Sequence, residues 1–151
     1  MADIDLKTLK KLRDETSASI ADCRRALDES EGDLDKALAW LKKRATEIAA
    51  KKADRETGEG IVDAYIHGNG KVGVLVELLC ETDFVAKTDE FKHLAREIGM
   101  QIAAMNPENV ESLLKQEYIR DGSVTIEQMV KNVIGKLGEN ITVKRFIRFQ
   151  I

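Results

Sequence analysis

The apolar pattern of this chain changes period once, at Thr57-Gly58-Glu59-Gly60. Before that point large apolar residues recur every three to four positions. Leu6, Leu9 and Leu12 stand at i, i+3, i+6, Ile20, Cys23 and Leu27 at i, i+3, i+7, and Leu34, Ala37, Leu38 and Leu41 at i, i+3, i+4, i+7. Each set falls on one face of a helix with 3.6 residues per turn. Thr16 and Ser17 separate the first two helices, Gly32 suits a left-handed turn after the second, and Asp33 is a cap for the third. After the switch, Val62, Ala64 and Ile66 alternate with Asp63, Tyr65 and His67, and Val72, Val74, Val76, Leu78 and Cys80 alternate again, the two-residue repeat of a half-buried strand. Gly68-Asn69-Gly70 between them supplies the positive φ angles of a tight hairpin, so the two strands are antiparallel neighbours.

Three short helices with one apolar face each make a bundle of about 45 residues, near the lower limit for independent folding, and predict a small module over residues 1–44. From Lys42 to Arg55 the chain is rich in Ala and Lys, with Ile48 its one large apolar residue, and a solvated helical linker is expected over 45–59. Residues 60–151 form the core. Its strongest helix carries Phe91, Leu94, Ala95, Ile98, Ile102 and Met105, with Thr88 as cap and Asn106-Pro107 as its end, and is expected to pack on the hairpin. Val110, Leu113 and Leu114 mark a further short helix, and Arg120-Asp121-Gly122-Ser123 a loop. Thr125 and Gln128 have the spacing of a capping box for a helix striped by Ile126, Met129, Val130, Val133, Ile134 and Leu137 and closed by Gly138. A last strand places Ile141, Val143, Ile147, Phe149 and Ile151 on one face, interrupted by Arg145. The expected class is α+β: a three-helix unit, then a small antiparallel three-stranded sheet packed with helices. Leu75 and Leu79 make the second face of the middle strand partly apolar, so that face is expected to be covered, by the module or by a second copy of the chain.

The charge balance, 24 Lys+Arg against 27 Asp+Glu in 151 residues, lacks the basic excess that phosphate neutralisation needs, so no direct nucleic-acid binding is expected. The basic residues between Lys42 and Arg55 are mixed with acids and read as a solvated face. No apolar run is long enough to cross a bilayer. Met1-Ala2-Asp3-Ile4-Asp5 has neither the basic nor the apolar part of a secretory signal, which predicts a cytoplasmic protein. Cys23 and Cys80 form no C-x-x-C pair and read as buried thiols. His67 at a hairpin turn and His93 on a polar helix flank have no nucleophile or carboxylate partner, which leaves a small-hydrolase reading without support. The acids Glu77, Glu81, Asp83, Asp89 and Glu90 lack calcium-loop spacing, and neither Gly68-x-Gly70 nor Gly135-x-x-Gly138 stands between a strand and a helix start as a phosphate cradle would. No catalytic residue, metal site or cofactor is expected.

One segment stands apart. Cys80-Glu81-Thr82-Asp83-Phe84-Val85-Ala86-Lys87-Thr88 leaves an apolar strand for the long helix and sets a large aromatic beside an acid. Phe84, Phe91, Ile98 and Met105 are spaced by seven, so Phe84 reads equally as the first core residue of that helix or as an exposed contact for a partner.

At these residues the chain resembles the elongation factor Ts family. Leu12-Arg13-Asp14-Glu15-Thr16 through Asp22-Cys23-Arg24-Arg25-Ala26-Leu27, then Gly32-Asp33 and Ala49-Ala50-Lys51-Lys52-Ala53, look like its first signature, and Thr82-Asp83-Phe84-Val85 after Glu81 is similar to its second. Gly138-Glu139-Asn140-Ile141 and Arg145-Phe146-Ile147-Arg148-Phe149 resemble the end of its core. The resemblance implies a guanine nucleotide exchange factor for elongation factor Tu, which binds the GDP-bound and nucleotide-free partner and performs no covalent step. It implies that the N-terminal module is like a ubiquitin-associated domain and docks through Leu12, Ile20 and Ala21. It further implies that Asp83 and Phe84, with Thr82 and Val85 beside them, intrude near the partner's nucleotide and disturb its Mg²⁺. Gln101 replaces a His common in the family's long core helix and is a further possible contact. Ser17-Ala18-Ser19-Ile20-Ala21 departs from the common Gly-Ala-Gly-Met-Met. Leu113-Leu114-Lys115-Gln116-Glu117-Tyr118-Ile119 follows Asn106-Pro107 almost at once, so the family's intervening helical hairpin is absent, and a single core implies a homodimer. The alternative is a non-catalytic binding or chaperone-like module for another GTPase or a peptide.

Overall fold

The computed structural model describes residues 4–151. Met1, Ala2 and Asp3, which begin both the expected 1–44 module and the stretch read for a leader, lie outside the described residues. Three helices come first, α1 (Leu6–Thr16), α2 (Ile20–Glu29) and α3 (Leu34–Lys52). Asp5, Ser19 and Asp33 cap their N-termini by accepting backbone N–H groups, as the side-chain oxygens of such residues do. Ser17 closes α1 in the left-handed region, and Gly32, with φ +82°, reverses the chain after α2. Leu9, Leu12, Cys23, Leu27, Ala37 and Leu41 fill the small core between the three.

The remaining elements are β1 (Glu59–His67), β2 (Val72–Cys80), α4 (Asp83–Ala86), α5 (Asp89–Met105), α6 (Val110–Lys115), β3 (Glu117–Tyr118), β4 (Asp121–Thr125), α7 (Ile126–Leu137) and β5 (Thr142–Gln150). β2 is the middle strand of an antiparallel sheet of order β1-β2-β5. Val74, Val76, Leu78 and Cys80 point from it into the main core, where they meet Phe91, Leu94, Ile98 and Ile102 of α5. Gly60 opens β1 at a close crossing: with φ +153°, a Cβ there would stand 2.1 Å from the Leu78 carbonyl oxygen, so no other residue fits. The α+β architecture agrees with the reading of the sequence.

Four local expectations are corrected. The stretch from Ala45 is not solvated: α3 runs unbroken to Lys52, and its Ala45 and Ala49 are buried, with Ile48 packed against the main core. The small residues let α7 approach closely, and a Cβ on Gly135 would lie 3.2 Å from the Cα and Cβ of Ala45. One helix thus serves both cores, its first half closing the N-terminal unit and its second half lying on α7. On β5, the register shifts opposite Glu77 and Leu78, and this bulge inverts the alternation. Val143 is buried, but beyond the bulge Phe146 packs inward, and Arg148 donates from Nε and Nη2 to the Ala103 carbonyl at 3.2 and 3.0 Å, a cation at the C-terminal end of α5. Ile147 and Phe149, expected to share a face with Val143, lie on the opposite, open face.

The expected loop at Arg120–Ser123 is partly a short hairpin, β3 paired with β4. Tyr118 pairs with Asp121 across its turn, and the Asp121 carboxylate accepts from the Ser123 N–H at 3.0 Å just after it. The capping box of α7 is half made: Thr125 accepts from the Gln128 N–H at 3.1 Å, while the Gln128 amide turns to Asn132 instead.

Because even a Cβ at Gly135 would press on Ala45, the larger side chain of Gly135→Leu should force the helices apart and destabilise the fold by about 1–3 kcal/mol, the usual cost of overpacking. A lowered midpoint in urea unfolding checks this, and an unchanged midpoint would refute the close-packed seam.

Candidate partner-binding site

Between β2 and α5 the chain makes a single helical turn, α4. Thr82 is its N-cap, in extended conformation, and Ala86 is buried beneath it. Val85 packs partly against the main core. With those two facing in, Asp83 and Phe84 face out. Phe84 is 80% exposed, far more than a large aromatic ordinarily is in a folded chain. Of the two readings left open by the spacing, the core reading fails because Thr88 starts a new helix. Thr88 Oγ1 donates to the Val85 carbonyl at 2.7 Å and accepts from the Phe91 N–H at 3.3 Å, so Phe84 and Phe91 are not on one helix. Phe91 is fully buried and Phe84 is not.

The turn is braced from several sides. The Glu139 carboxylate accepts from the Thr82 backbone N–H at 3.0 Å and from its hydroxyl at 2.7 Å. The Cys80 thiol donates to the Thr82 carbonyl at 3.1 Å. Burial, reinforced by the charge of Glu139, pushes that thiol up from its ordinary range, so it stays protonated and keeps donating. Lys87 Nζ lies 3.0 Å from Asp83 Oδ2, and the hydrogen bond and charge of Lys87 hold the Asp83 carboxyl below its usual value. Asp83 is therefore an exposed anion beside an exposed aromatic. Glu81, mostly buried, meets Arg55 at 3.6 Å.

Other residues expected at the site fall elsewhere. Ile20, half exposed, and Ala21 lie at the start of α2 and are accessible. Leu12 is fully buried in the N-terminal core; its place in the leucine stripe of α1 turns it inward, so it supports that surface rather than touching a partner. Gln101 is also fully buried. Its amide donates to the Glu117 carbonyl at 3.0 Å and accepts from the Ile119 N–H at 3.0 Å, so it clamps the β3–β4 hairpin to α5 and has nothing left for a partner. Nearby, buried Glu97 accepts from the Tyr118 hydroxyl and meets Arg120 at 3.3 Å. Glu139 is the residue that the pattern did not single out. It follows the helix-ending Gly138, but its partner Thr82 is 57 positions away, beyond the reach of any local periodicity. Among the described residues no group of three or more His, Cys, Asp or Glu side chains is placed to hold a metal ion, and no helix is long and apolar enough to cross a membrane.

The open face of the sheet is a second exposed apolar feature. Val62 and Ile66 of β1, Leu75 of β2, and Ile147 and Phe149 of β5 are all between about half and two-thirds exposed there, and at one end of the group, level with Val62, Arg145 Nε pairs with Glu77 Oε2 at 2.5 Å.

Comparison with known proteins brings these features together. The family model described as Elongation factor TS matches residues 81–151, which include the turn and its Glu139 brace. Proteins named Elongation factor Ts match nearly the whole chain. One from a Nostoc species is 48% identical over all of this chain and 48% of its own length. One from Rippkaea orientalis is 40% identical over 99% of this chain and 78% of its own, and one from Thermoanaerobacter pseudethanolicus 40% identical over 97% and 94%. The chain thus spans about half the length of the Nostoc relative and most of the other two. The last two alignments run to 195 and 192 positions, more than the 151 residues here, so those relatives carry residues between matched segments that this chain lacks.

Since Phe84 is exposed, Phe84→Ala should leave the thermal midpoint within about 1–2 °C of wild type, as surface changes away from caps and cores do. Phe91→Ala should cost about 3–5 kcal/mol. Melts followed by circular dichroism compare them, and a large loss for Phe84→Ala would contradict its placement.

Proposed function

The chain belongs to the elongation factor Ts family, and on that basis we propose that it serves translation elongation as a guanine nucleotide exchange factor for elongation factor Tu. The observation that carries this reading is the exposed Asp83-Phe84 pair on a braced turn. An aromatic ring held out on a fixed support can enter a gap between two helices of a partner, and it loses little freedom in doing so because the turn is already ordered. Displacing the partner's helices disturbs the Mg²⁺ that neutralises the GDP diphosphate, and the Asp83 carboxylate adds competing negative charge. GDP then leaves with no covalent bond made or broken. Binding that weakens GDP must, by linkage, be weakened equally by GDP, so the factor prefers the nucleotide-free partner and is released when nucleotide returns.

In this reading residues 1–44 are a module like a ubiquitin-associated domain that docks on the partner's nucleotide-binding domain through Ile20 and Ala21, with Leu12 holding their helix from within. Residues 60–151 are a single family core without the helical hairpin. The factor acts in the cytoplasm, with neither nucleic acid nor membrane as a direct partner. A second copy of the chain covers the open sheet face. The charged pair at its end already satisfies itself, leaving Val62, Leu75, Ile147 and Phe149 to meet the same patch of the second copy across a two-fold axis.

Phe84→Ala should slow release of a fluorescent GDP analogue from elongation factor Tu by about tenfold or more, the scale expected when a main transition-state contact is removed. A complex that forms without any acceleration by the wild-type chain would favour the plain binding-module reading. Light scattering of the chain should give twice the monomer mass of 16.9 kDa, and Leu75→Glu should return it to monomer. A wild-type monomer at high concentration would refute the dimer.

A further inference from the structure

The turn that carries Asp83 and Phe84 is too short to hold itself. A four-residue helix has no complete ladder of its own, and isolated helices of that length are unstable in water. Its N-cap Thr82 accepts from the Val85 N–H at 3.4 Å. In a capping box the residue at that third helical position is Glu or Gln, whose side chain returns to the N–H of the cap. Here that position is Val85, which has no acceptor, and the Thr82 N–H would be left unpaired at a half-buried site.

Glu139 supplies the missing half from the other end of the core. One carboxylate oxygen takes the Thr82 N–H at 3.0 Å, and the other takes the hydroxyl proton at 2.7 Å. With its proton committed to Glu139, the hydroxyl oxygen is left facing the Val85 N–H as an acceptor. The carboxylate therefore sets both the backbone entry into the turn and the direction of its cap.

The next residue ties down a different element. Asn140 is buried, and its side-chain amide donates to the carbonyls of Ala53 at 3.3 Å and Arg55 at 2.9 Å, the backbone that leaves the end of α3. Arg55 in turn meets Glu81, just before the wedge. Two consecutive side chains after Gly138 thus grip the exposed turn and the end of the helix whose other end closes the N-terminal unit.

We propose that Glu139 is the positioning residue for exchange: it holds Thr82 so that Phe84 and Asp83 are presented at a set angle, and with Asn140 it makes the turn after α7 a fixed joint between that wedge and the helix bearing the N-terminal unit. The proposal rests on the exchange function given above. It separates two quantities. Loosening the joint disorders the wedge at the moment it must act, while the remaining contact surface still brings the partners together.

The test measures release of a fluorescent GDP analogue from elongation factor Tu across a range of concentrations of the full chain. Glu139→Ala should lower the maximal rate about tenfold while moving the half-saturating concentration less than about twofold, the pattern of an interaction that matters in the transition state. Glu139→Gln, which keeps one acceptor oxygen, should restore part of the rate. In a Thr82→Val background the effect of Glu139→Ala should shrink, because the two side chains act as a pair. A Glu139→Ala chain with wild-type maximal rate overturns the proposal, and so does one whose only change is a higher half-saturating concentration with a lower melting temperature. If Phe84→Ala is slow while Glu139→Ala is not, positioning by Glu139 fails and the exchange function stands. If Phe84→Ala also releases GDP at the wild-type rate, both fail.

Discussion

The packing of α3 on α7 is the contact on which the arrangement of this protein depends. Ala45 and Ala49 on one helix and Gly135 on the other remove the side chains that would keep the axes apart, and close approach multiplies weak dispersion contacts along the seam. Because α3 also closes the N-terminal core, the seam fixes that unit to the sheet domain through one continuous helix. Because α7 ends in Gly138, with φ +77°, the seam also fixes where the chain turns and therefore where Glu139 and Asn140 stand. The exposed turn at Thr82–Val85 is held by that second consequence.

A small fold has limited means of presenting an aromatic ring to solvent without letting it collapse onto the surface. Here the ring sits on one helical turn anchored below by Ala86, behind by the Cys80 thiol and at its cap by Glu139. The anchor at Ala86 is apolar burial; those at Cys80 and Glu139 are hydrogen bonds made by partly or fully buried groups, which gives them more strength than the same contacts in water. The restart of the helix at Thr88 is equally needed. A continuous helix from Asp83 would have carried Phe84 around to the face of Phe91 and buried it. The open sheet face owes its β5 residues to a different cause: the bulge in β5 sends Ile147 and Phe149 outward, beside Leu75, and brings Arg148 in to cap α5.

Much of this was legible in the chain. The residues that cap helices were visible as Asp33, Thr88, Thr125 and Gly138, since capping depends on groups within three or four positions of one another. The hairpin at Gly68–Gly70 and the buried stripe of β2 were visible for the same reason. The segment around Phe84 stood out by composition, though spacing alone could not say whether the ring was inside or out. Other parts were not visible. Leu12 and Gln101, named as partner contacts by the resemblance, are buried, one in the N-terminal core and the other clamping the β3–β4 hairpin. The stretch beyond Lys42 reads as solvated because it is rich in Lys and weakly apolar Ala, yet its small alanines, facing Gly135 of α7, are what a close helix crossing requires.

The sequence by itself determined the main helices and the three long strands, their order and most of their caps, the α+β class and membership of a family, because these follow from local spacing and from motifs read along the chain. Only the tertiary structure decided which side of each element is covered, where β5 changes face, and that Glu139 reaches Thr82. Those outcomes depend on contacts between segments far apart in sequence, and a single extra residue in a strand or a missing side chain on a helix changes them without altering the local pattern.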